Sequence, residues 1–246
     1  MKKLTTFLRD LFIIGLRQPA DIGHVLGIAR HAAGQIVDAA ADTRTIPVVD
    51  MQELPGAPGR TVVQTFPGVG ASVSLAEAAA LAALCRSVRA KRIFEFGTYK
   101  GVSTTQFALN LPEDGQIITL DLPEDHPCYS LAITKEEERM IAAEGGKGVL
   151  VPADLRHKVT FLKSDSASFE VAPYAGSMDL VFVDGAHSYE YVKNDSKKGW
   201  EMLRPGGILV WHDCVPSHPE VVKFVKECGW MPQRVQGTAL AYALRN

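Results

Sequence analysis

The sequence has few cysteines, almost no net charge and no long apolar run, and each absence excludes a class of protein. Its four cysteines form no C-x-x-C pair, which disfavours a zinc cluster or a disulfide scaffold and favours the reducing cytoplasm. The formal net charge of -2 gives no general attraction to a phosphate backbone, so we expect no nucleic-acid partner. The apolar run at 11–16 has six residues, whereas a bilayer span needs about 20, so we expect no transmembrane helix.

Residues 1–73 are predicted to form N-terminal helices followed by a linker or lid. Leu4, Leu8 and Leu11 recur at helical spacing, and residues 46–70 contain eight prolines and glycines, a density typical of irregular structure. The apolar stretch is short and no small-residue cleavage site follows it, so secretion is not expected. Three interpretations of the first helix remain: packing on its own domain or a second subunit in a homo-oligomer, peripheral membrane contact, or a disordered leader.

From Ser74 onwards, the pattern is typical of an α/β fold with a parallel sheet. Ser74 can cap a helix that runs to about residue 90. Five apolar segments then alternate with helical patterns, at 92–96, 116–120, 159–162, 178–183 and 207–211. Nearly continuous apolar strands of this kind are covered by helices on both faces. Residues 231–235 and 239–244 are predicted to form a terminal hairpin.

The loop after the first predicted strand has features of a ligand-binding turn. Gly97 and Gly101 would let the backbone approach a ligand, and the free N–H groups of the following helix would bind a carboxylate or phosphate. The second predicted strand ends at Asp121, 24 residues after Gly97, where a carboxylate can accept hydrogen bonds from ribose hydroxyls. Loop and acid together predict a nucleoside ligand, whereas a glycine turn chosen only for tight packing is the alternative.

Four motifs in this order resemble a known family. They are E-F-G-T-Y-K-G-V-S at 95–103, the acid Asp121, V-D-G-A-H-S-Y at 183–189 and L-R-P-G-G-I-L at 203–209. The combination is similar to class I S-adenosylmethionine-dependent methyltransferases, and within them to small-molecule O-methyltransferases of the sugar, macrolide and catechol types. The resemblance covers about residues 74–246, the predicted catalytic domain. It implies a Rossmann-like seven-stranded sheet with a C-terminal antiparallel strand.

The resemblance also implies a cofactor, S-adenosylmethionine, and the residues that hold it. Gly97 and Gly101 would line its methionine part, and Tyr99 and Ser103 would contact its carboxylate. Asp121 would hold the ribose. The full implied set consists of Glu95, Gly97, Thr98, Tyr99, Gly101, Ser103, Asp121, Asp165 and Ser166, of which the last two would lie at the adenine.

Acidic and histidine residues follow two further predicted strands. Asp184 ends one strand, and His212 and Asp213 follow the next strand, 28 and 29 residues later. Because parallel strand ends converge, these groups could hold a divalent cation such as magnesium or manganese. In catechol-type enzymes three metal ligands have this spacing, and the catalytic base stands where His187 is found here. His212 departs from the expected oxygen ligand, which favours a softer metal or none.

Simpler roles compete with these predictions. Asp184 could only cap the next helix, the histidines could be ordinary loop residues, and Asp165 could only form a turn. The first hypothesis is an enzyme that moves a methyl group to a hydroxyl of a small molecule, with Asp184 and His187 catalytic. The alternatives are a noncatalytic cofactor-binding scaffold or regulator, and a metal-independent N-methyltransferase. The insertion at 124–158 is expected to lie near the ligand crevice.

Overall fold

A computed structural model of the chain describes residues 42–54, 60–66, 68–70, 72–123, 129–133, 138 and 146–246. The predicted N-terminal helices and their membrane or subunit contacts lie outside the described residues. No described helix has the length and apolar character needed to cross a membrane.

The described chain contains eight strands and four α-helices, in the alternating order that the sequence predicts. The strands are β1 (Val48–Val49), β2 (Arg92–Phe96), β3 (Gln116–Asp121), β4 (Val159–Lys163), β5 (Met178–Val183), β6 (Leu203–Trp211), β7 (Gln233–Val235) and β8 (Ala241–Leu244). The helices are α1 (Leu75–Ser87), α2 (Val102–Asn110), α3 (Tyr189–Met202) and α4 (Pro219–Glu227).

All eight strands form one sheet in the order β1-β7-β8-β6-β5-β2-β3-β4. Strand β8 pairs antiparallel with both β6 and β7, while every other pairing is parallel. The C-terminal hairpin is therefore confirmed, with its last strand inserted between β6 and β7. Strand order reverses between β2 and β5, and in such sheets ligands bind beyond the carboxyl ends of the strands at this point.

The α/β class is confirmed, but the sheet has one strand more than the seven expected. The additional strand, β1, lies in the segment predicted to be an irregular linker or lid. It is held at the sheet edge by backbone hydrogen bonds from Arg234 N to Pro47 O and from Gln236 N to Val49 O. Two residues are too few to show the alternation that identifies a strand in sequence, so no pattern could predict it. The division of the chain at residue 73 stays a prediction.

Side chains of the central strands alternate between two separate cores. In β5, Val181 and Val183 pack in the core under α3 and α4, whereas Leu180 and Phe182 pack in the core shared with α1 and α2. All six residues of β5 are buried. A strand covered on both faces has no polar side, which explains the apolar sequence from Leu180 to Val183.

Asp179 anchors the amino ends of the central strands, opposite to the ligand edge. Its Oδ2 accepts hydrogen bonds from the backbone N–H groups of Lys91 and Arg92 at 2.7 and 2.8 Å. Its Oδ1 accepts a hydrogen bond from Arg204 Nε at 2.5 Å. One carboxylate thus ties the start of β2 to the start of β6.

We expect Asp179→Ala to lower the free energy of unfolding by about 2–3 kcal/mol, because it leaves two strand-end N–H groups and a guanidinium without their acceptor. Urea denaturation would measure the loss. Asp114→Ala is the matched control, since Asp114 pairs with Lys91 only at the exposed surface, where ion pairs contribute little. Equal losses in the two variants would contradict the anchoring role.

Candidate functional site

The glycine loop runs from the end of β2 into α2 and packs directly against the end of β5. Gly97 adopts φ +93°, and a Cβ at this position would collide with the backbone carbonyl of Asp184. Gly101 adopts φ +86°, and a Cβ there would lie 2.7 Å from Val151 Cγ2. Tyr99 also has a positive φ, +44°. Both glycines are therefore required by close approach, whatever ligand the loop holds.

Asp121 bonds to the same loop at the end of the neighbouring strand. Its Oδ2 accepts hydrogen bonds from the backbone N–H groups of Thr98 and Tyr99 at 3.0 and 2.7 Å. Its Oδ1 lies 3.1 Å from Lys147 Nζ, and both side chains are about one-eighth exposed. The acid thus fixes the loop conformation and presents its second oxygen to the cleft beside a lysine.

Glu95 lies beneath the loop and has no exposed surface. Its carboxylate accepts hydrogen bonds from the hydroxyls of Ser103, Thr104 and Thr119 at 2.5–2.6 Å. Burial raises the pKa of Glu95 to about 7, although the three hydroxyls oppose the rise. Glu95 and the Ser103 hydroxyl therefore support the loop from below, and only the backbone of Ser103 remains to serve a ligand carboxylate.

Asp165 and Ser166 follow β4, but their surroundings differ. Asp165 is buried and accepts hydrogen bonds from Ser130 N, Ala167 N and the Tyr191 hydroxyl at 2.9–3.0 Å. Burial opposes ionisation, but these hydrogen bonds prevail and lower the pKa of Asp165. Its carboxylate thus organises the turn, whereas Ser166 lines the cleft beside Asp121.

Three predicted metal ligands meet where β5 and β6 end. His212 Nδ1 lies 3.1 Å from Asp184 Oδ1 and 3.1 Å from Asp213 Oδ2. Asp213 adopts φ +55°, an uncommon conformation for a residue other than glycine and one that is concentrated at functional sites. Each of the three side chains is between one-tenth and about one-fifth exposed. The convergence predicted from strand ends is present in the structure.

The donor set fits a divalent cation. Neighbouring ligands of an octahedral ion, with bonds of about 2.1 Å, are separated by about 3.0 Å, close to the two distances from His212 Nδ1. Both ring nitrogens of His212 are buried and face carboxylate oxygens at 3.1–3.5 Å, but neither makes a well-aligned hydrogen bond in the described part of the chain. Burial alone would lower the pKa of His212, but the surrounding carboxylates raise it well above the usual value. The cluster thus favours positive charge, as a proton or as a bound cation.

His187 lies beside this cluster, on the loop that leads into α3. Its Nε2 lies 2.8 Å from Asp213 Oδ2, within hydrogen-bond distance. Burial opposes ionisation of Asp213, but the hydrogen bond with His187 and the nearby His212 ring keep its pKa well below the usual range. The carboxylate therefore stays charged and can hold the His187 ring in one orientation and one tautomer.

Two adjoining clefts meet at this edge of the sheet. The first contains Asp121, Lys147 and Ser166. The second, of about 750 Å³, contains Lys100, His212, Asp213 and His218. Both are lined by Gly97, Tyr99, Asp184, Gly185 and His187. Because His187 and Asp184 stand at the junction, ligands in the two clefts would meet beside the predicted catalytic groups.

A Rossmann-like sheet with an inserted antiparallel final strand and a paired cleft at its carboxyl edge defines the methyltransferase class of α/β fold. Residues 94–214 match the family described as a methyltransferase domain. Over these residues the chain is similar to a methyltransferase domain. The family resemblance in its sequence is thereby confirmed.

Curated relatives and solved structures agree with this assignment. The chain is 27% identical to caffeoyl-CoA O-methyltransferase 3 of Nicotiana tabacum over 57% of its length and 54% of the relative. It is 29% identical to catechol O-methyltransferase domain-containing protein 1 of Mus musculus over 54% and 45% of the two chains. The chain thus spans about half the length of the curated relatives it matches.

The structural likeness shows the fold. A provisionally named caffeoyl-CoA O-methyltransferase from Staphylococcus aureus aligns with a TM-score of 0.52 at 17% identity, over 71% of this chain and 85% of the other. A provisionally named O-methyltransferase from Klebsiella pneumoniae aligns with a TM-score of 0.50 at 19% identity, over 72% and 83% of the two chains.

Three residues at the site were not predicted from the sequence. Lys147 reaches Asp121 from the insertion, His218 Nδ1 lies 3.5 Å from Asp213 Oδ1, and Glu77 Oε2 lies 3.5 Å from His212 Nε2. None of the three directly follows a strand of the central sheet, so the rule that locates ligands at strand ends could not identify them.

We expect the stability of the protein to depend on pH through Glu95. The pKa of Glu95 is about 7 in the folded protein, against an ordinary value of 4.5. The stabilisation of the folded state by protonated Glu95 is therefore complete below pH 4.5 and is lost as the pH rises to about 7. Relative to Glu95→Gln, the wild type should lose on the order of 2–3 kcal/mol of unfolding free energy between about pH 5 and pH 8. Urea titrations across this range would measure the difference. A difference that does not change with pH would show that Glu95 is ionised throughout.

Proposed function

We propose that the protein is a methyltransferase that moves the methyl group of S-adenosylmethionine to a hydroxyl of a small molecule, assisted by a divalent cation. The observation that carries the proposal is the junction of two clefts at Asp184 and His187, with the glycine loop on one side and the cluster of His212 and Asp213 on the other. The methyltransferase domain supports the same reaction.

We place the nucleoside part of the cofactor in the first cleft, with its methionine part extending along the glycine loop into the second. S-adenosylmethionine supplies an electrophilic methyl group on its sulfonium. The backbone at Gly97, Tyr99 and Gly101 would face the methionine part, with the first turn of α2 donating N–H groups to its carboxylate. Asp121 Oδ1 would accept hydrogen bonds from the ribose. Ser166 would lie at the adenine.

The other predicted cofactor residues act from behind the cleft. Thr98 donates its backbone N–H to Asp121, which holds the acid in place. Glu95 fixes the start of α2 through Ser103 and Thr104, and Asp165 fixes the turn before Ser166. We therefore assign Thr98, Glu95 and Asp165 the role of positioning the groups that contact the cofactor.

We place the cation at Asp184, His212 and Asp213. A divalent cation there would lower the pKa of an acceptor hydroxyl in the second cleft. The mixed nitrogen and oxygen donors suit manganese, iron or zinc at least as well as magnesium. Asp184 also lines both clefts, so it would align the acceptor with the cofactor as well as bind the cation.

His187 is the proposed general base. Its hydrogen bond to Asp213 makes Nε2 the donor and Nδ1 the basic nitrogen of the neutral ring. A neutral imidazole at the junction of the clefts can take the hydroxyl proton at ordinary working pH. Asp213 stabilises the imidazolium that results, because the carboxylate remains charged.

We further propose cytoplasmic localisation and a homo-oligomer in which the N-terminal helices pack against a second subunit or touch a membrane surface. The three described cysteines, Cys85, Cys214 and Cys228, are free thiols, which supports a reducing compartment. The apolar helical spacing of residues 1–45 supports a packing role for this segment. Residues 1–73 would then act as a supporting element for the catalytic domain at 74–246.

We expect Asp121→Ala to weaken the binding of S-adenosylmethionine at least tenfold, or about 1.4 kcal/mol, because it removes the ribose acceptor and releases the loop. Isothermal titration calorimetry would measure the affinity. Asp154→Ala is the control, because Asp154 is an exposed aspartate away from the clefts. Unchanged affinity in the Asp121 variant would overturn the cofactor site.

We expect His187→Gln to lower kcat by about a hundredfold or more, with cofactor affinity nearly unchanged, because the variant cannot accept the hydroxyl proton. A panel of catechol and sugar acceptors would provide the assay. His157→Gln is the control, since His157 is exposed and pairs with Glu113 away from the site.

Chelation in the same assay tests the role of the cation. We expect EDTA to abolish turnover and manganese or magnesium to restore it. Full activity after chelation would remove the cation from the mechanism. Chelation-resistant transfer to an amine acceptor, without transfer to the hydroxyl acceptors, would favour the metal-independent N-methyltransferase. Full activity of Asp184→Asn would reduce Asp184 to a helix-capping role, and absence of methyl transfer to any acceptor would favour the noncatalytic scaffold.

A further inference from the structure

Glu77 is a buried carboxylate that the proposed chemistry does not yet use. It lies in the first turn of α1, where its Oε2 accepts a hydrogen bond from Ser74 N at 2.7 Å and the Ser74 hydroxyl accepts one from Glu77 N in return. Such a reciprocal cap is common at helix starts and can be made by glutamine as well as glutamate. The cap therefore explains the position of the side chain but not the other groups that its carboxylate faces.

The carboxylate faces the cation cluster from behind. Glu77 Oε2 lies 3.5 Å from His212 Nε2, while Oε1 accepts a hydrogen bond from Ala239 N at 2.8 Å. His212 itself lies between two sets of acids, with Nδ1 toward Asp184 and Asp213 and Nε2 toward Glu77. The two ring nitrogens thus face opposite sides of the site, and only one of them faces the proposed cation.

A histidine can bind a cation only through a nitrogen that carries no proton, so the tautomer of a ligating histidine has to be fixed. Protein metal sites achieve this with an acceptor for the N–H of the other nitrogen. Within the described chain, Glu77 is the carboxylate beside His212 Nε2. Glu77 Oε2 thus lies where such an acceptor is needed.

We propose that Glu77 is a positioning residue for the cation site: it accepts the Nε2–H of His212 and so presents Nδ1 as the ligand beside Asp184 and Asp213. This inference rests on the proposed cation site. It also links α1, which precedes the central sheet, to the catalytic edge. The bond to Ala239 extends the link to the turn before β8, so one carboxylate holds the helix, the turn and the histidine in register.

Binding of Mn²⁺ to the full-length protein, followed by the loss of the free-ion EPR signal, tests the proposal without relying on turnover. We expect Glu77→Leu to weaken Mn²⁺ binding at least tenfold, because leucine cannot accept the Nε2–H. Glu77→Gln should retain the affinity within about threefold, because its amide oxygen can accept the same hydrogen bond. Ser74→Ala is the matched control, which should lower the Tm by removing the cap while leaving the Mn²⁺ affinity unchanged.

Wild-type affinity in Glu77→Leu would overturn the positioning role, as would equal losses in the leucine and glutamine variants or a similar loss in Ser74→Ala. If the leucine variant does not fold, the ¹⁵N spectrum of His212 in the Zn²⁺-loaded wild type decides: a protonated Nε2 supports the proposal and a protonated Nδ1 overturns it. Failure of the wild type to bind Mn²⁺ would instead overturn the cation site and this inference with it.

Discussion

The close approach of two backbones at the carboxyl edge of the sheet determines the arrangement of the site. Gly97 at the end of β2 packs so tightly on Asp184 at the end of β5 that no side chain fits between them. Hydrogen bonds from Gly97 N to Leu120 O and from Asp184 N to Phe96 O hold the same junction. Because the glycine loop and the first proposed cation ligand are joined in this way, the proposed sites for the methyl donor and the acceptor are adjacent.

Several acidic residues lie at this edge of the sheet, and their different surroundings give their carboxylates different pKa values and roles. Glu95 is fully buried among neutral hydroxyls, so its pKa rises toward 7, whereas Glu77 and Asp213 face histidines and their pKa values fall. Asp121 faces backbone N–H groups and a lysine. A carboxylate among hydroxyls can be neutral and structural, while one among cationic partners remains charged and can hold a histidine or a cation.

The histidine in the proposed ligand set has a structural consequence. A carboxylate can bind a cation through either of its two equivalent oxygens, but an imidazole has two distinct nitrogens and needs a partner for the one that does not bind the cation. His212 therefore requires a supporting group behind it, and α1 provides Glu77 at that place. The histidine in the proposed ligand set and the buried, helix-capping Glu77 are therefore related, because the glutamate supports the ring that would bind the cation.

The sequence was enough to predict the α/β class, the five central parallel strands, and the acids and histidines at their ends. Strand periodicity and the order of motifs are local signals, so they can be read without the fold. The sequence also predicted that Asp184, His212 and Asp213 converge, since parallel strands bring their carboxyl ends to one edge. Only the tertiary structure showed that Glu95 and the Asp165 carboxylate support the site from behind, that a two-residue strand extends the sheet, and that Glu77 and Lys147 reach it. The contacts of Lys147 with Asp121 and of Glu77 with His212 join residues 26 and 135 positions apart in the chain, and the packing that brings such pairs together leaves no periodic trace in sequence.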